Sequence, residues 1–335
     1  MIKFNRPDYN FIFNQSNGLF ARWGKTFDDD PDFSPYGNEI LDIEVTDICS
    51  GPGGIPCSFC YKSNSPHNKS NMSFDTFKSI IDKMPETLTQ IAIGADAQGT
   101  SNPDLFKMME YSRSKGIIPN ITVADIDNVT AKRLSELCGA VAVSRYSNKS
   151  YCYESIYKLH SYGMKQINMH IMVSEETLPQ VYETFNDVIS GEKRLEGLNA
   201  IVLLSLKKKG RGRGFTTLSQ DKFKTLIDFA LDNNIPIGFD SCSCHKFLAS
   251  VTDRDNYNEL ETLSEPCEST CFSAYINSGG NYFPCSFTEG QDDWKTGINV
   301  PNCDDFVKDV WNSDRSIVFR NNLLKNGRRC PVFEV

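Results

Sequence analysis

The 335-residue sequence predicts an α/β fold, six βα units followed by a small, irregular, cysteine-rich C-terminal segment. Three observations carry that expectation. Between residues 41 and 240, short apolar runs alternate with stretches whose apolar residues recur at helical spacing. Three cysteines, Cys49, Cys57 and Cys60, lie in a Gly/Pro-rich loop directly after the first of those runs. Beyond residue 240 the periodicity fades, and seven of the twelve cysteines are found there. Six βα units at this spacing fit a partial (β/α)6 barrel. Physical rules alone also allow a doubly wound sheet.

Residues 1–40 read as a small N-terminal extension. Residues 11–13 and 19–21 flank Asn17 and Gly18, a hairpin turn signal, and covering the barrel is the expected role. Residues 40–45 alternate as a strand. Ser73 caps a predicted helix with the apolar stripe Phe74, Phe77, Ile80, Ile81 and Met84. Strands follow at 90–93, 118–124, 140–143, 166–173, 200–206 and 235–239. Between them lie helices from Asn102 and Pro103 to Gly116, at 130–137, 150–162, 178–189 and, capped by Ser219, 221–231. In either fold the chemistry belongs at the C-terminal ends of the strands, where the cysteine loop sits.

Composition narrows the function. The chain is 39% hydrophobic and 23% charged, with net charge −8, which disfavours non-specific nucleic-acid binding. No apolar run reaches membrane-spanning length, and residues 1–5 lack the apolar core of a signal peptide. A cytoplasmic location is expected. Twelve cysteines in such a chain indicate metal or redox chemistry rather than disulfides, and four histidines make sulfur ligation the better expectation. Three thiolates leave a tetrahedral zinc site incomplete. On an iron–sulfur cluster they leave one iron open.

Cys57, Phe59 and Cys60 resemble the cluster-binding loop of radical S-adenosylmethionine (radical SAM) enzymes, in which an aromatic residue precedes the last cysteine. The family's first gap is three residues; here it is seven, residues 50–56. The resemblance implies a [4Fe–4S] cluster on Cys49, Cys57 and Cys60, with S-adenosylmethionine (SAM) on the open iron. It further implies a 5′-deoxyadenosyl radical that abstracts a substrate hydrogen, and an electron donor such as flavodoxin or ferredoxin. Gly94, Ala95 and Asp96 stand where the family often carries Gly-Gly-Glu, whose backbone and carboxylate hold the cofactor's amino group. Phe59, Gly94, Ala95, Asp96 and Ser144 are thus the implied SAM-binding positions, with Arg145 a further candidate. His170 reads as a hydrogen-bonded core histidine.

The basic, glycine-rich run 207–214 reads either as a solvated loop or as a grip for a carboxylate, an acidic leader peptide or a phosphate. In residues 241–335, Cys267, Cys271 and the Gly280-to-Cys285 spacing resemble the SPASM or twitch extensions of peptide-modifying radical SAM enzymes, and Cys330 their closing ligand. This implies one auxiliary [4Fe–4S] cluster on Cys267, Cys271, Cys285 and Cys330, with Cys303 as substitute. Cys242 and Cys244 stand as ligands, a hydrogen-atom donor, a redox pair or ordinary buried thiols. Cys138 and Cys152 read as core thiols. The expected substrate is a ribosomally made peptide or protein, cross-linked, epimerised or excised, with a partner protein delivering it. A small molecule such as a sugar or amino acid is the alternative. A non-enzymatic zinc or redox cysteine protein is the rival from another class.

Overall fold

The computed structural model describes residues 1–334. The chain begins with an antiparallel sheet of β1 (Ile2–Asn5), β2 (Asn10–Phe13) and β3 (Phe20–Trp23). The expected hairpin is β2–β3; β1 is additional, paired with β2. Seven parallel strands follow: β4 (Ile40–Glu44), β5 (Gln90–Gly94), β6 (Ile118–Val123), β7 (Val141–Arg145), β8 (Ile167–Val173), β9 (Leu198–Ser205) and β10 (Ile237–Phe239). Helices α1 (Phe74–Ile81), α2 (Leu105–Ser114), α3 (Asn128–Leu137), α4 (Lys149–Ser161), α5 (Leu178–Ile189) and α6 (Gln220–Asp232) connect them.

Local chemistry explains the boundaries. Ser73, Asp127, Asn148 and Ser219 each accept a backbone N–H from the first turn of their helix, a cap worth about 1 kcal/mol. The helices bury one stripe against the outer face of the sheet; on α1 these are Phe77, Ile80 and Ile81. Each such side chain contributes roughly 1.5–3 kcal/mol when fully buried. The strands send alternate residues the other way, into the interior, where Asp42, Ala92, Gly94, Thr122, Ser144 and His170 line a cavity.

The sheet does not close between β10 and β4. The free edge of β4 pairs instead with β11 (Ser273–Ile276), parallel, and antiparallel β12 (Asn281–Phe283) and β13 (Ile298–Asn299) extend it to ten strands. Two short helices, α7 (Cys244–Ser250) and α8 (Tyr257–Thr262), precede β11, and α9 (Asp314–Lys325) follows β13. The partial barrel and the cysteine-rich segment therefore share one sheet.

The N-terminal sheet lies elsewhere than expected. Phe4, Tyr9 and Phe11 pack on Cys267, Cys271, Phe272 and Leu323, so it supports the C-terminal segment. Arg22 anchors it, pairing with buried Glu39 at 3.0 Å and lying 3.6 Å over the Phe272 ring.

Candidate active site and a second thiol pocket

Cys49, Cys57 and Cys60 leave β4 and line one cavity at the C-terminal ends of the strands. Burial, with Cys60 and Cys49 nearby, pushes the Cys57 thiol up to about 11. A Cys57 thiol whose ionisation is disfavoured by its two neighbouring thiols suits a cationic metal group that relieves the repulsion. The seven-residue insert is folded down onto the barrel. A Cβ at Gly51, where φ is 74°, would stand 1.9 Å from the Ile55 carbonyl oxygen, so only glycine fits. Gln98 donates to the Gly51 carbonyl at 2.9 Å, and Asp125 accepts from the Gly53 N–H at 3.1 Å.

The basic run clamps this loop. Arg211 donates through Nε to the Cys57 carbonyl at 2.7 Å and through Nη2 to the Asn64 carbonyl at 3.0 Å. Lys209 donates to the carbonyls of Ser286, Phe287 and Glu289, and Lys207 pairs with Asp240. Gly210 permits the approach: a Cβ there would lie 2.4 Å from the Tyr61 carbonyl oxygen. Three of the run's cations are thus occupied inside the protein. Lys208 and Arg213 are the exposed ones.

The cavity holds about 510 Å³. Phe59 forms part of its wall, stacked on Tyr146 with ring centroids 5.5 Å apart and edge-on to Phe215. The Tyr146 hydroxyl is within hydrogen-bonding reach of the Cys57 thiol and Ser144, linking β7 to the cysteine loop. Gly94 and Ala95 present backbone and little side chain. The Asp96 carboxylate, expected to face an ammonium, is engaged by its own turn. It accepts from the N–H groups of Thr100 (3.0 Å), Ser101 (2.9 Å) and Gln98 (3.2 Å). Arg145 faces out of the barrel and pairs with Glu183 at 2.7 Å. His170 does face the cavity, and burial pushes it down to about 4, so its imidazole is neutral near pH 7. Asp42 is exposed to the cavity but surrounded by protein on its other sides, and that surrounding pushes its carboxyl up to about 6.

A second pocket lies behind Lys207, lined by Cys242, Cys267, Cys285 and Cys330 together with Phe287, Phe319 and Val332. Cys242 and Cys267 stand close enough to act on each other's ionisation, and the Cys267 thiol donates to the Ser269 hydroxyl at 3.5 Å. Backbone N–H groups point at the sulfurs: that of Phe333 donates to Cys330 at 3.3 Å, and those of Phe287 and Thr288 face Cys285. Cys271 is not there. It is buried among Phe4, Phe11 and Phe272 on the N-terminal sheet. Cys303 lies apart, beside Lys83, and Cys244 opens α7. Among the described residues no three His, Cys, Asp or Glu side chains are close enough to hold a single metal ion. Four thiols spread around an apolar pocket fit a multi-iron cluster better than one tetrahedral zinc.

Residues 267–331 match SPASM, an iron–sulfur cluster-binding domain. The fold matches crystal structures of SuiB from Streptococcus suis. The form bound to S-adenosylmethionine gives a TM-score of 0.64 at 13% identity, covering 85% of this chain and 68% of SuiB. The form bound to precursor peptide SuiA gives 0.66 at 14% identity, covering 85% and 67%. The chain shares the fold of SuiB and carries a C-terminal SPASM match. No curated protein matches the chain at a significant level.

The partial barrel brings Cys49, Cys57, Cys60, Phe59, Gly94, Ala95, Asp96 and Ser144 to one cavity. The SPASM domain brings Cys267, Cys285 and Cys330 together, with Cys242 in the place expected of Cys271. Sequence reasoning passed over Asp42 and Tyr146. Lys207, which opens the basic run directly after the apolar residues 200–206, is 4% exposed. The domain also closes one side of the cavity. Tyr275 accepts from Lys62 at 2.9 Å and donates to Glu44 at 3.1 Å, and Glu289 pairs with Lys62. Among the described residues no helix is long and apolar enough to cross a membrane.

Proposed function

We propose that this protein is a radical SAM enzyme that modifies a ribosomally made peptide or protein. The observation that carries the reading is the convergence of Cys49, Cys57 and Cys60 on one cavity at the strand ends, with a four-thiol pocket behind one wall. Cys49, Cys57 and Cys60 would hold the first [4Fe–4S] cluster. Cys242, Cys267, Cys285 and Cys330 would hold the auxiliary one. When bound, the first cluster and SAM supply a 5′-deoxyadenosyl radical able to abstract a substrate hydrogen atom.

The chain's own residues do the rest. The backbone at Gly94 and Ala95 offers acceptors to the cofactor's ammonium, and Ser144, held by Tyr146, offers a hydroxyl. The stacked pair of Phe59 and Tyr146 shields the cavity from water, as a reactive radical requires. A peptide substrate is supported by the fold shared with SuiB, itself seen bound to a precursor peptide. A partner that delivers the peptide, and a flavodoxin- or ferredoxin-type electron donor, complete the proposal.

Iron and sulfide content of anaerobically purified protein tests it. About eight irons, falling to about four in the Cys49, Cys57, Cys60 triple alanine variant, is the expected result. Zinc without iron would overturn the assignment. SAM-dependent mass changes on candidate peptides test the substrate class. Turnover of a small molecule with no change on any peptide would replace it with the small-molecule reading.

A further inference from the structure

The charges lining the barrel cavity are matched, with one exception. Glu44 pairs with Lys62 at 3.2 Å, Lys207 pairs with Asp240, and Asp96 is held by three backbone N–H groups. Asp42 stands on β4 beside Ala92 of β5 and across from Tyr275 of β11. The Tyr275 hydroxyl is turned to Glu44 and Lys62, and the methyl of Ala92 leaves the space beside the carboxylate open. Among the described residues, no cation or hydrogen bond of the protein reaches Asp42; the Tyr61 phenol, kept neutral by burial, and Glu44 are the titratable groups near this part of the cavity. Asp42 is exposed to the cavity, so a substrate that fills the cavity strips water from its carboxylate, at a cost of several kcal/mol unless something on that substrate pairs with it. Here the missing partner has to arrive through the cavity.

Depth indicates whose partner it is. Glu44 and Gly94 are paired in register at the strand ends, level with the cysteine loop. Asp42 lies two residues deeper, about 6–7 Å down the strand. The positions assigned to SAM are at the rim, so the group that meets Asp42 belongs to the substrate. A neutral apolar group would leave the carboxylate stranded, and an anion would be repelled. A primary ammonium or guanidinium answers both its charge and its acceptor oxygens.

We propose that the barrel takes a substrate bearing a primary ammonium or guanidinium group, and that Asp42 binds this group on the cavity floor. In a peptide this means a lysine or arginine side chain or a free N-terminus. The inference rests on the radical SAM reading for the meaning of the cavity, but its test does not.

The test is calorimetric titration of the anaerobically reconstituted protein, with and without saturating SAM, using n-butylammonium and n-butanol as probes. The wild type is expected to bind n-butylammonium at least tenfold tighter than n-butanol, and Asp42→Asn to abolish that preference. A second readout needs no variant: the infrared carboxylic-acid band of the wild type at mildly acidic pH should fade on saturation with n-butylammonium. Equal binding of the ammonium by wild type and Asp42→Asn, or an unchanged carboxyl band, would overturn the proposal. So would a variant that loses SAM affinity but keeps the ammonium, because the carboxylate would then serve the cofactor. An Asp42-dependent ammonium site in a protein that binds no SAM would uphold this inference and remove the radical reading instead.

Discussion

Lys207 and Asp240 form an ion pair in the wall between the barrel cavity and the four-thiol pocket. The lysine side chain is 3% exposed and the aspartate 18%. Asp240 also accepts from the Ser243 hydroxyl. Removing one partner of a buried pair leaves an uncompensated charge, at a cost of about 3–5 kcal/mol. Lys207→Met should therefore lower stability by roughly 3 kcal/mol, the low end, because Ser243 still serves the carboxylate. Lys207→Met with Asp240→Asn should recover much of that loss. Urea unfolding of both variants checks this; an unchanged midpoint for Lys207→Met would mean the pair contributes no stability.

The fourth thiol of the second pocket can be decided by iron analysis. Cys242→Ser should remove the auxiliary cluster, about four irons, while Cys271→Ser should keep them and lose only a little stability. Loss of iron in Cys271→Ser with retention in Cys242→Ser would restore the ligand set that spacing alone suggests.

That contrast marks how far the sequence could be read. Periodicity located the seven parallel strands and their helices, because each burial stripe is written within a dozen residues; Ser73 and Ser219 are the caps they seemed to be. Cys267 and Cys271 read as a pair because they are close in sequence. A tight turn, in which the N–H groups of Cys271 and Phe272 both reach the Glu268 carbonyl and Thr270 takes φ of 61°, leaves both packed near the N-terminal sheet but only Cys267 on the thiol pocket. Cys242 arrives from the end of β10, a relation no local spacing encodes. Run 207–214 read as a solvated loop or an anion grip for the same reason: its partners lie near residues 57–64 and 286–289. Strand β1 was missed because four residues, two of them Lys3 and Asn5, carry too little pattern.

Arg211 offers a test confined to the first site. Its two hydrogen bonds to the Cys57 and Asn64 carbonyls fix both flanks of the last two cysteines. Each bond from a charged donor is worth about 1.5–3 kcal/mol. Arg211→Ala should loosen the loop and reduce iron at the three-cysteine site, leaving iron at the four-thiol pocket unchanged. Arg211→Lys should not rescue it, since one ammonium cannot reproduce the two-pronged contact. Iron counts, with the spectroscopic response to SAM separating the sites, give the answer. Equal loss at both sites would point to a general folding defect.

Asp42 makes stability depend on pH in a direction that can be worked out. Enclosure raises its carboxyl from the ordinary 3.8 to about 6, so the folded state holds the proton more tightly than the unfolded chain. Below the ordinary value both states are protonated and nothing is lost. As pH rises toward 6 the unfolded chain ionises first, and the folded state is progressively penalised; above that the penalty is constant. Asp42→Asn removes the penalty. Without substrate, the variant should melt close to the wild type at pH 4 and increasingly above it through the window from 3.8 to about 6. A difference in melting temperature that stays flat across this range would show that the carboxylate is already satisfied in the free protein. The case for an incoming cation would then weaken together with the stability argument, because both depend on the same unpaired charge.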